Sequence, residues 1–178
     1  GGGSQSHVAV YTNGDSALGG IRTQEPHGSV DITYFNANGT VRWQKNSTNG
    51  RTGQVIFGPD GTVFQGTGAY NPADGSVKWG NPSGGRNNAL GKNGQYYVDM
   101  GGSATTVRAY NAQTGAILWE KSIPPVGGIN PITIDSRDRV YLTTVQGYLF
   151  VLAPADGAIL LQQKICDQFF SSAVIGTN

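Results

Sequence analysis

The chain has 178 residues and a formal net charge of +1, and only 13% of its residues are Asp, Glu, Lys or Arg. The basic residues are scattered, so the sequence lacks the Lys and Arg stripe that marks a nucleic-acid-binding surface. No stretch approaches the length of about 18 apolar residues that a membrane-spanning helix requires. Glycine is abundant, with 28 residues, which suits many tight turns between short strands.

The N-terminal segment "SHVAVYTN" is predicted to be a strand, and "GSVDITYFNANG" and "TVRWQKN" are predicted to follow it as two further strands. Between the first two lies an insertion, 13–28, which is long for a compact domain. It carries Arg22, Glu25 and His27, which have mixed chemistry. Long loops in compact domains are often functional, so these three residues are candidates for binding a partner. A solvated loop or a contact with a neighbouring element is the alternative.

Three later segments each predict a hairpin of two strands around a tight turn. They are "GQVIFGPDGTVFQGT", "NALGKNGQYYVDM" and "NPITIDSRDRVYLTT". Asp-Gly and Asn-Gly supply the positive φ angles that such turns need. In the unit that spans 51–81, only "QGTG" separates two predicted strands, so the third strand of this unit is expected to be short or missing.

A second kind of hairpin recurs along the chain. Its copies are "YFNANGTVRW", "AYNPADGSVKW", "AYNAQTGAILW" and "VLAPADGAILL". The turn glycines are Gly39, Gly75, Gly115 and Gly157, separated by 36, 40 and 42 residues. A tryptophan follows four residues after each of the first three, at Trp43, Trp79 and Trp119, and the last copy has Leu161 instead.

A repeat of about 40 residues with only strand-like content predicts a β-propeller. The copies "VRAYNAQTGAILW" and "LFVLAPADGAIL" resemble the PQQ-like, or quinoprotein-type, propeller repeat, and the resemblance extends from about Val30 to Asn178. It implies blades of four antiparallel strands. It also implies that each tryptophan packs between neighbouring blades, beneath the next turn, so that these tryptophans and glycines are structural.

The C-terminal segment "SSAVIGTN" resembles the first strand of a blade, whereas the N-terminal unit lacks one in this assignment. We therefore expect an all-β domain, 1–178, of about four blades, closed by pairing the N- and C-terminal strands in one blade. The expected blades are 1–50 plus 167–178, 51–81, 82–123 and 124–166. A self-contained ring, two chains in an eight-bladed ring and part of a longer array all stay open. Phe169 and Phe170 are expected in the closing strand or, if exposed, at an interface.

The chemistry of quinoprotein dehydrogenases is not evident in this chain. The resemblance to that family would imply pyrroloquinoline quinone, a calcium or lanthanide ion, a catalytic Asp and a vicinal cysteine pair, but Cys166 is the single cysteine. His7 and His27 match no Ser-His-Asp spacing. We therefore predict no cofactor, no metal site and no catalytic residue.

These observations predict a non-catalytic binding or scaffold module that is extracellular, on the cell surface or periplasmic. Its partner would be a protein or a glycan bound on a propeller face, with self-association as a further property and with no nucleic acid. One alternative is a structural subunit of an extracellular polymer that forms by strand exchange. Another is a glycan-binding propeller, for which Tyr96, Tyr97 and Tyr148 are candidates, although the place of Tyr97 in its strand favours the core. An enzyme is the remaining alternative.

Overall fold

The computed structural model describes residues 7–22, 29–46, 54–81, 85, 87–101, 105–124, 127–168 and 171–176. Every secondary-structure element among these residues is a β-strand. The sixteen strands are β1 (His7–Val10), β2 (Ser16–Arg22), β3 (Ser29–Phe35), β4 (Val41–Asn46), β5 (Val55–Phe57), β6 (Val63–Gln65), β7 (Thr67–Tyr70), β8 (Val77–Asn81), β9 (Asn88–Leu90), β10 (Gln95–Asp99), β11 (Thr105–Asn111), β12 (Ile117–Ile123), β13 (Thr133–Ile134), β14 (Val140–Thr143), β15 (Tyr148–Leu152) and β16 (Ile159–Lys164).

The strands form four sheets of four strands each, and every sheet uses four consecutive strands in antiparallel order. Sheet 1 is β1–β4, sheet 2 is β5–β8, sheet 3 is β9–β12 and sheet 4 is β13–β16. This confirms the prediction of an all-β fold of four-stranded antiparallel blades. The short third strand expected in sheet 2 is also confirmed, because β7 has four residues and follows β6 after Gly66 at φ +52°.

The strand assignment in sheet 1 corrects the sequence analysis. His7–Val10 is the first strand of its blade and not the second, because it pairs with β2, from His7↔Gly19 to Val10↔Ser16. Residues 16–22, which were expected to belong to a long insertion, form β2 itself and pair with β3. Sheet 1 therefore obtains four strands from residues 7–46 alone.

The C-terminal segment also differs from the expectation, which was that it supplies the first strand of sheet 1. Residues 171–176 form no strand, so the expected pairing of N- and C-terminal strands is absent from the described residues. The segment lies against sheet 4, where Thr143 Oγ1 donates to the carbonyl oxygen of Ser171 at 2.6 Å and Thr133 Oγ1 donates to that of Ala173 at 2.8 Å. The carbonyl groups of Ser171 and Ala173 thus accept hydrogen bonds from side-chain hydroxyls, whereas in a strand they would accept them from the backbone N–H groups of a neighbouring strand.

Two ends can be defined for every sheet from its strand order. The turns between its first and second strands and between its third and fourth strands lie at one end, which we call the turn end. The connection between the second and third strands lies at the other end, together with the start of the first strand and the exit of the fourth. We call this the connection end.

The chain divides into two compact units, Gly1–Arg86 and Asn87–Asn178, each with its own hydrophobic core. The core of the first unit joins side chains of sheets 1 and 2 and includes Ile32, Tyr34, Trp43, Val55, Val63 and Tyr70. The core of the second unit joins sheets 3 and 4 and includes Tyr97, Val107, Trp119, Ile132, Leu142, Phe150 and Leu152. Burial of these faces against each other is the main stabilising contribution in each unit.

In both units a tryptophan of one sheet lies beneath a turn glycine of the next. Trp43 Nε1 donates to the carbonyl oxygen of Pro72 at 3.0 Å, and a Cβ atom added at Gly75 would lie 2.7 Å from the Trp43 ring. Trp119 Nε1 likewise donates to Pro154 at 2.8 Å, with Gly157 above its ring. The repeated Gly-x-x-x-Trp spacing therefore places each blade's tryptophan under the turn of the following blade in these two pairs.

Candidate functional site

At the turn end of sheet 1, a buried carboxylate holds two turns together. Asp15 Oδ2 accepts hydrogen bonds from Asn13 Nδ2 and from the Tyr34 hydroxyl, each at 3.0 Å. Its Oδ1 accepts the backbone N–H of Ala37 at 2.9 Å, and the guanidinium of Arg42 lies 2.9 Å from Oδ2. Burial alone would raise the pKa of Asp15, but the hydrogen bonds and the positive charge outweigh it and lower that pKa. Burial and the bond to Asp15 raise the pKa of Tyr34 to about 12.

A buried carboxylate, that of Asp135, also lies at the turn end of sheet 4. Asp135 Oδ1 accepts the backbone N–H groups of Arg137 and Arg139, both at 2.9 Å, and Oδ2 accepts Arg139 Nε at 2.6 Å. The Tyr141 hydroxyl lies 3.3 Å from Oδ2. Burial would raise the pKa of Asp135, but these bonds lower it overall. Both carboxylates are therefore ionised, fully engaged structural groups, which is unsuitable for a general acid or base.

The connection end of the second unit has a different chemistry, dominated by uncharged polar groups. Asn87 Nδ2 donates to the carbonyl oxygen of Ile129 at 2.8 Å and lies 3.3 Å from Asp99 Oδ2. Asp99 is only 3% exposed, and its Oδ1 accepts the backbone N–H of Gly101 at 2.8 Å. These contacts join the start of β9 to the end of β10.

The same pattern occurs at the start of β13 and the end of β14. Asn130 Nδ2 donates to Thr143 Oγ1 at 3.1 Å, and that hydroxyl donates to Ser171. We call Asn87, Asp99, Asn130 and Thr143 the polar cluster. Three of its four members are amides or a hydroxyl, which donate and accept hydrogen bonds without exchanging protons near neutral pH, and Asp99 is the one carboxylate. The chemistry of the cluster therefore suits contacts with uncharged polar groups.

The sequence analysis missed the polar cluster. Its signal was weak, because it consists of single polar residues at the beginning of a first strand or at the end of a second strand. Asn and Asp are also ordinary turn residues, and sequence position alone does not separate the two roles.

Of the five predicted binding residues, Arg22 alone is among the described residues, and only its backbone is described. Arg22 is the last residue of β2 and pairs through its backbone with Ser29. Glu25 and His27 fall in the connection between β2 and β3, outside the described residues, and Phe169 and Phe170 fall outside them after β16. The candidate role of these five side chains in binding therefore stays a prediction.

Two of the tyrosines considered for glycan binding are core residues. Tyr96 and Tyr97 have no exposed surface, so neither ring is available to stack on a sugar. Tyr148 is half-buried and stacks on Phe150 with ring centroids 6.1 Å apart.

Cys166 is half-buried, with its Sγ 3.1 Å from the carbonyl oxygen of Gln168.

Within the described residues, no three His, Cys, Asp or Glu side chains are grouped so that they could hold a metal ion. The same residues contain no helix that is long and apolar enough to cross a membrane.

Comparison with solved structures shows the fold. BamB from Moraxella catarrhalis superposes with a TM-score of 0.63 at 14% identity, over 89% of this chain and 49% of that one. The quinohemoprotein alcohol dehydrogenase ADHIIG from Pseudomonas putida HK5 gives 0.65 at 14%, over 89% and 34%. The C-terminal WD40 domain of Sif2 gives 0.62 at 12%, over 93% and 48%. The chain thus spans half or less of these three chains.

The sequence comparisons are more specific about the family. No curated protein matches the chain in a direct sequence search. A family model described as outer membrane protein assembly factor BamB matches residues 27–176, which is most of the chain. The predicted resemblance to PQQ-like repeats is thereby confirmed, and the chain belongs to the BamB-like family of β-propeller repeat proteins.

Proposed function

We propose that this chain is a non-catalytic binding module of the cell envelope, and that it holds another protein at the connection end of its second unit. The membership of the BamB-like family supports a role in envelope assembly, since its model is described as an outer membrane protein assembly factor. The same fold also occurs in a quinohemoprotein dehydrogenase, so the choice between binding and catalysis rests on the side chains.

The observation that carries the proposal is the contrast between the two ends of the second unit. At the turn end, Asp135 is ionised and fully used by Arg139 and by two backbone N–H groups. At the connection end, the polar cluster already binds peptide backbone of this chain, because Asn87 Nδ2 donates to the carbonyl oxygen of Ile129 and Thr143 Oγ1 donates to that of Ser171. Peptide backbone groups are the natural partners of such side chains, because they also donate and accept hydrogen bonds without carrying charge.

Site-specific photo-crosslinking in the cells that produce the chain tests this proposal. A photo-reactive residue at Gln146, which is exposed in the turn between β14 and β15, probes the connection end. The same residue at Ala155, exposed in the turn between β15 and β16, is the matched control at the turn end. We expect a discrete crosslinked envelope protein from position 146 and none from position 155. Equal crosslinking from both positions would contradict a binding site at the connection end.

A quinone-binding assay tests the non-catalytic part of the proposal separately. The purified chain is incubated with pyrroloquinoline quinone and Ca²⁺, and bound quinone is measured by its absorbance after gel filtration. An artificial electron acceptor and an alcohol then report dehydrogenase activity. We expect no retained quinone and no reduction of the acceptor; stoichiometric quinone with turnover would establish an enzyme instead.

A further inference from the structure

The outer strand of sheet 4 exposes a side chain where the other sheets bury one. Leu161 pairs with Val151 in the same register in which Trp119 pairs with Ala109. Trp119 is 8% exposed, because it lies beneath the turn that contains Gly157, whereas Leu161 is 41% exposed.

The same face of the strand continues this difference. Four residues beyond Trp119, Ile123 is 4% exposed and belongs to the core of the second unit. The equivalent residue four positions beyond Leu161 is Ile165, which is 53% exposed. We call Leu161 and Ile165 the donor face, since their equivalents insert into the following sheet.

Sheet 1 exposes the complementary positions. Val10 immediately precedes the turn that Tyr11 and Asp15 close, as Ile134 immediately precedes the equivalent turn of sheet 4. Val8 and Val10 are 66% and 70% exposed. Their equivalents Ile132 and Ile134 pack in the core of the second unit, in the cluster that includes Trp119.

The turn glycine of sheet 1 is also uncovered. Gly39 has the same left-handed backbone as Gly157, with φ +82° against +71°. A Cβ atom added at Gly157 would meet the Trp119 ring at 2.7 Å, whereas one added at Gly39 would have no described atom within 4 Å. We call Val8, Val10 and Gly39 the acceptor face.

We propose that a second copy of this chain docks head-to-tail, with the donor face of one copy packed against the acceptor face of the other. The contact would repeat the sheet-to-sheet packing seen inside each unit, with Leu161 in the place of the tryptophan beneath Gly39. A blade is the expected occupant because each face is the unfilled half of a contact that the chain makes elsewhere. Because the two faces differ, the interface is heterologous.

Two single substitutions and their mixture test the direction of docking. Leu161→Glu blocks the donor face, Val10→Lys blocks the acceptor face, and Leu160→Glu is the matched control. Leu160 is 57% exposed on the other face of β16, and its equivalent Leu118 is also exposed. Masses are measured by sedimentation equilibrium from about 1 μM to about 1 mM. This range detects association with a Kd as weak as about 1 mM, which is a binding free energy of about −4 kcal/mol.

We expect the unmodified chain and Leu160→Glu to reach at least twice 18.7 kDa as concentration rises. Each blocked variant should stay at 18.7 kDa. An equimolar mixture of the two blocked variants should recover a two-chain species, since one intact donor face and one intact acceptor face remain. The substituted side chains are exposed in a single copy, so unchanged circular dichroism and melting temperatures are expected and show that folding is intact.

Three results would overturn the proposal. The unmodified chain could stay at 18.7 kDa throughout the concentration range. Val10→Lys could associate as well as the unmodified chain, which would indicate a symmetric contact through the donor face alone. The mixture could fail to associate although the unmodified chain does. None of these results bears on crosslinking from position 146, so the proposed envelope function is tested independently.

Discussion

The contact between a turn glycine and the preceding tryptophan can be tested by adding one methyl group. Gly157→Ala places a Cβ atom 2.7 Å from Trp119 Cε3 and 2.9 Å from Cζ3, on a residue with φ +71°. The left-handed backbone costs an L-residue about 1–2 kcal/mol. Overpacking against a buried ring adds about 1–3 kcal/mol. The expected loss in the free energy of unfolding is therefore about 2–5 kcal/mol.

Gly94→Ala provides the matched control in the same unit. Gly94 has φ +76°, but a Cβ atom there would have no described neighbour within 4 Å. It should lose only the backbone part, about 1–2 kcal/mol. The difference between the two variants isolates the steric contact with Trp119.

Urea denaturation followed by far-UV circular dichroism measures both losses, provided that the m-values agree with that of the unmodified chain. A second substitution, Trp119→Leu, should recover part of the loss in Gly157→Ala, since the smaller side chain leaves room for the methyl group. Equal losses for Gly157→Ala and Gly94→Ala, with additive effects of Trp119→Leu, would refute the packing argument.

Three further changes test other contacts. Trp119→Ala should cost about 3–5 kcal/mol in urea denaturation, the range for truncating a buried aromatic side chain, and a loss below about 1 kcal/mol would contradict its structural role. Asp135→Asn should destabilise the chain at pH 7 by about 1.5–3 kcal/mol through the bond to Arg139. Because the pKa of Asp135 is lowered by folding, this difference should shrink as denaturation is measured at pH values falling below about 4, the ordinary Asp pKa. Tyr34→Phe should remove one phenol that titrates near pH 12 in absorbance at 295 nm, and the unmodified chain should lose stability relative to this variant as pH rises from about 10 to about 12. A lost phenol that titrates near pH 10, the ordinary tyrosine pKa, would contradict the buried bond between Tyr34 and Asp15.

The parts of the fold that the sequence predicted correctly are those fixed by backbone geometry. A turn that needs φ near +70° selects glycine, and Gly75, Gly115 and Gly157 appear at that place in successive copies. A large side chain four residues later fills the space beneath the next turn. Two constraints at a constant spacing are visible in a single sequence, so blade number and strand count could be predicted without an alignment.

The error in sheet 1 arose where the strand signal is weak. β2 contains the adjacent residues Gly19 and Gly20, and glycine has a low strand propensity, so "SALGGIR" resembled a loop. Because a loop was predicted in place of β2, His7–Val10 was assigned as the second strand of the blade and not the first. The sequence analysis therefore took the missing first strand from the C-terminus. Antiparallel pairing from His7↔Gly19 to Val10↔Ser16 shows that backbone hydrogen bonds stabilise this strand despite its composition.

The candidate site was harder to predict because the repeat does not constrain it. Asp15, Asp60 and Asp135 occur at turn ends, where each accepts hydrogen bonds within the turn and pairs with a nearby Arg or Lys. They occupy different positions of the turn between the first and second strands of their sheets, but the turn itself could be predicted from sequence. The polar cluster joins residues more than ten positions apart, such as Asn87 and Asp99, whose proximity depends on strand register.

This division between the ends explains how one repeat can serve different functions. The turn ends carry the repeat's glycines, the buried tryptophan contacts and the paired carboxylates, so substitutions there mainly affect the stability of the fold. The connection ends carry none of the repeat's turn glycines, and exposed side chains there, such as Gln146, can change without disturbing the packing between sheets. The recognition site that we propose at the connection end of the second unit therefore lies where substitutions that select a new partner would destabilise the fold least.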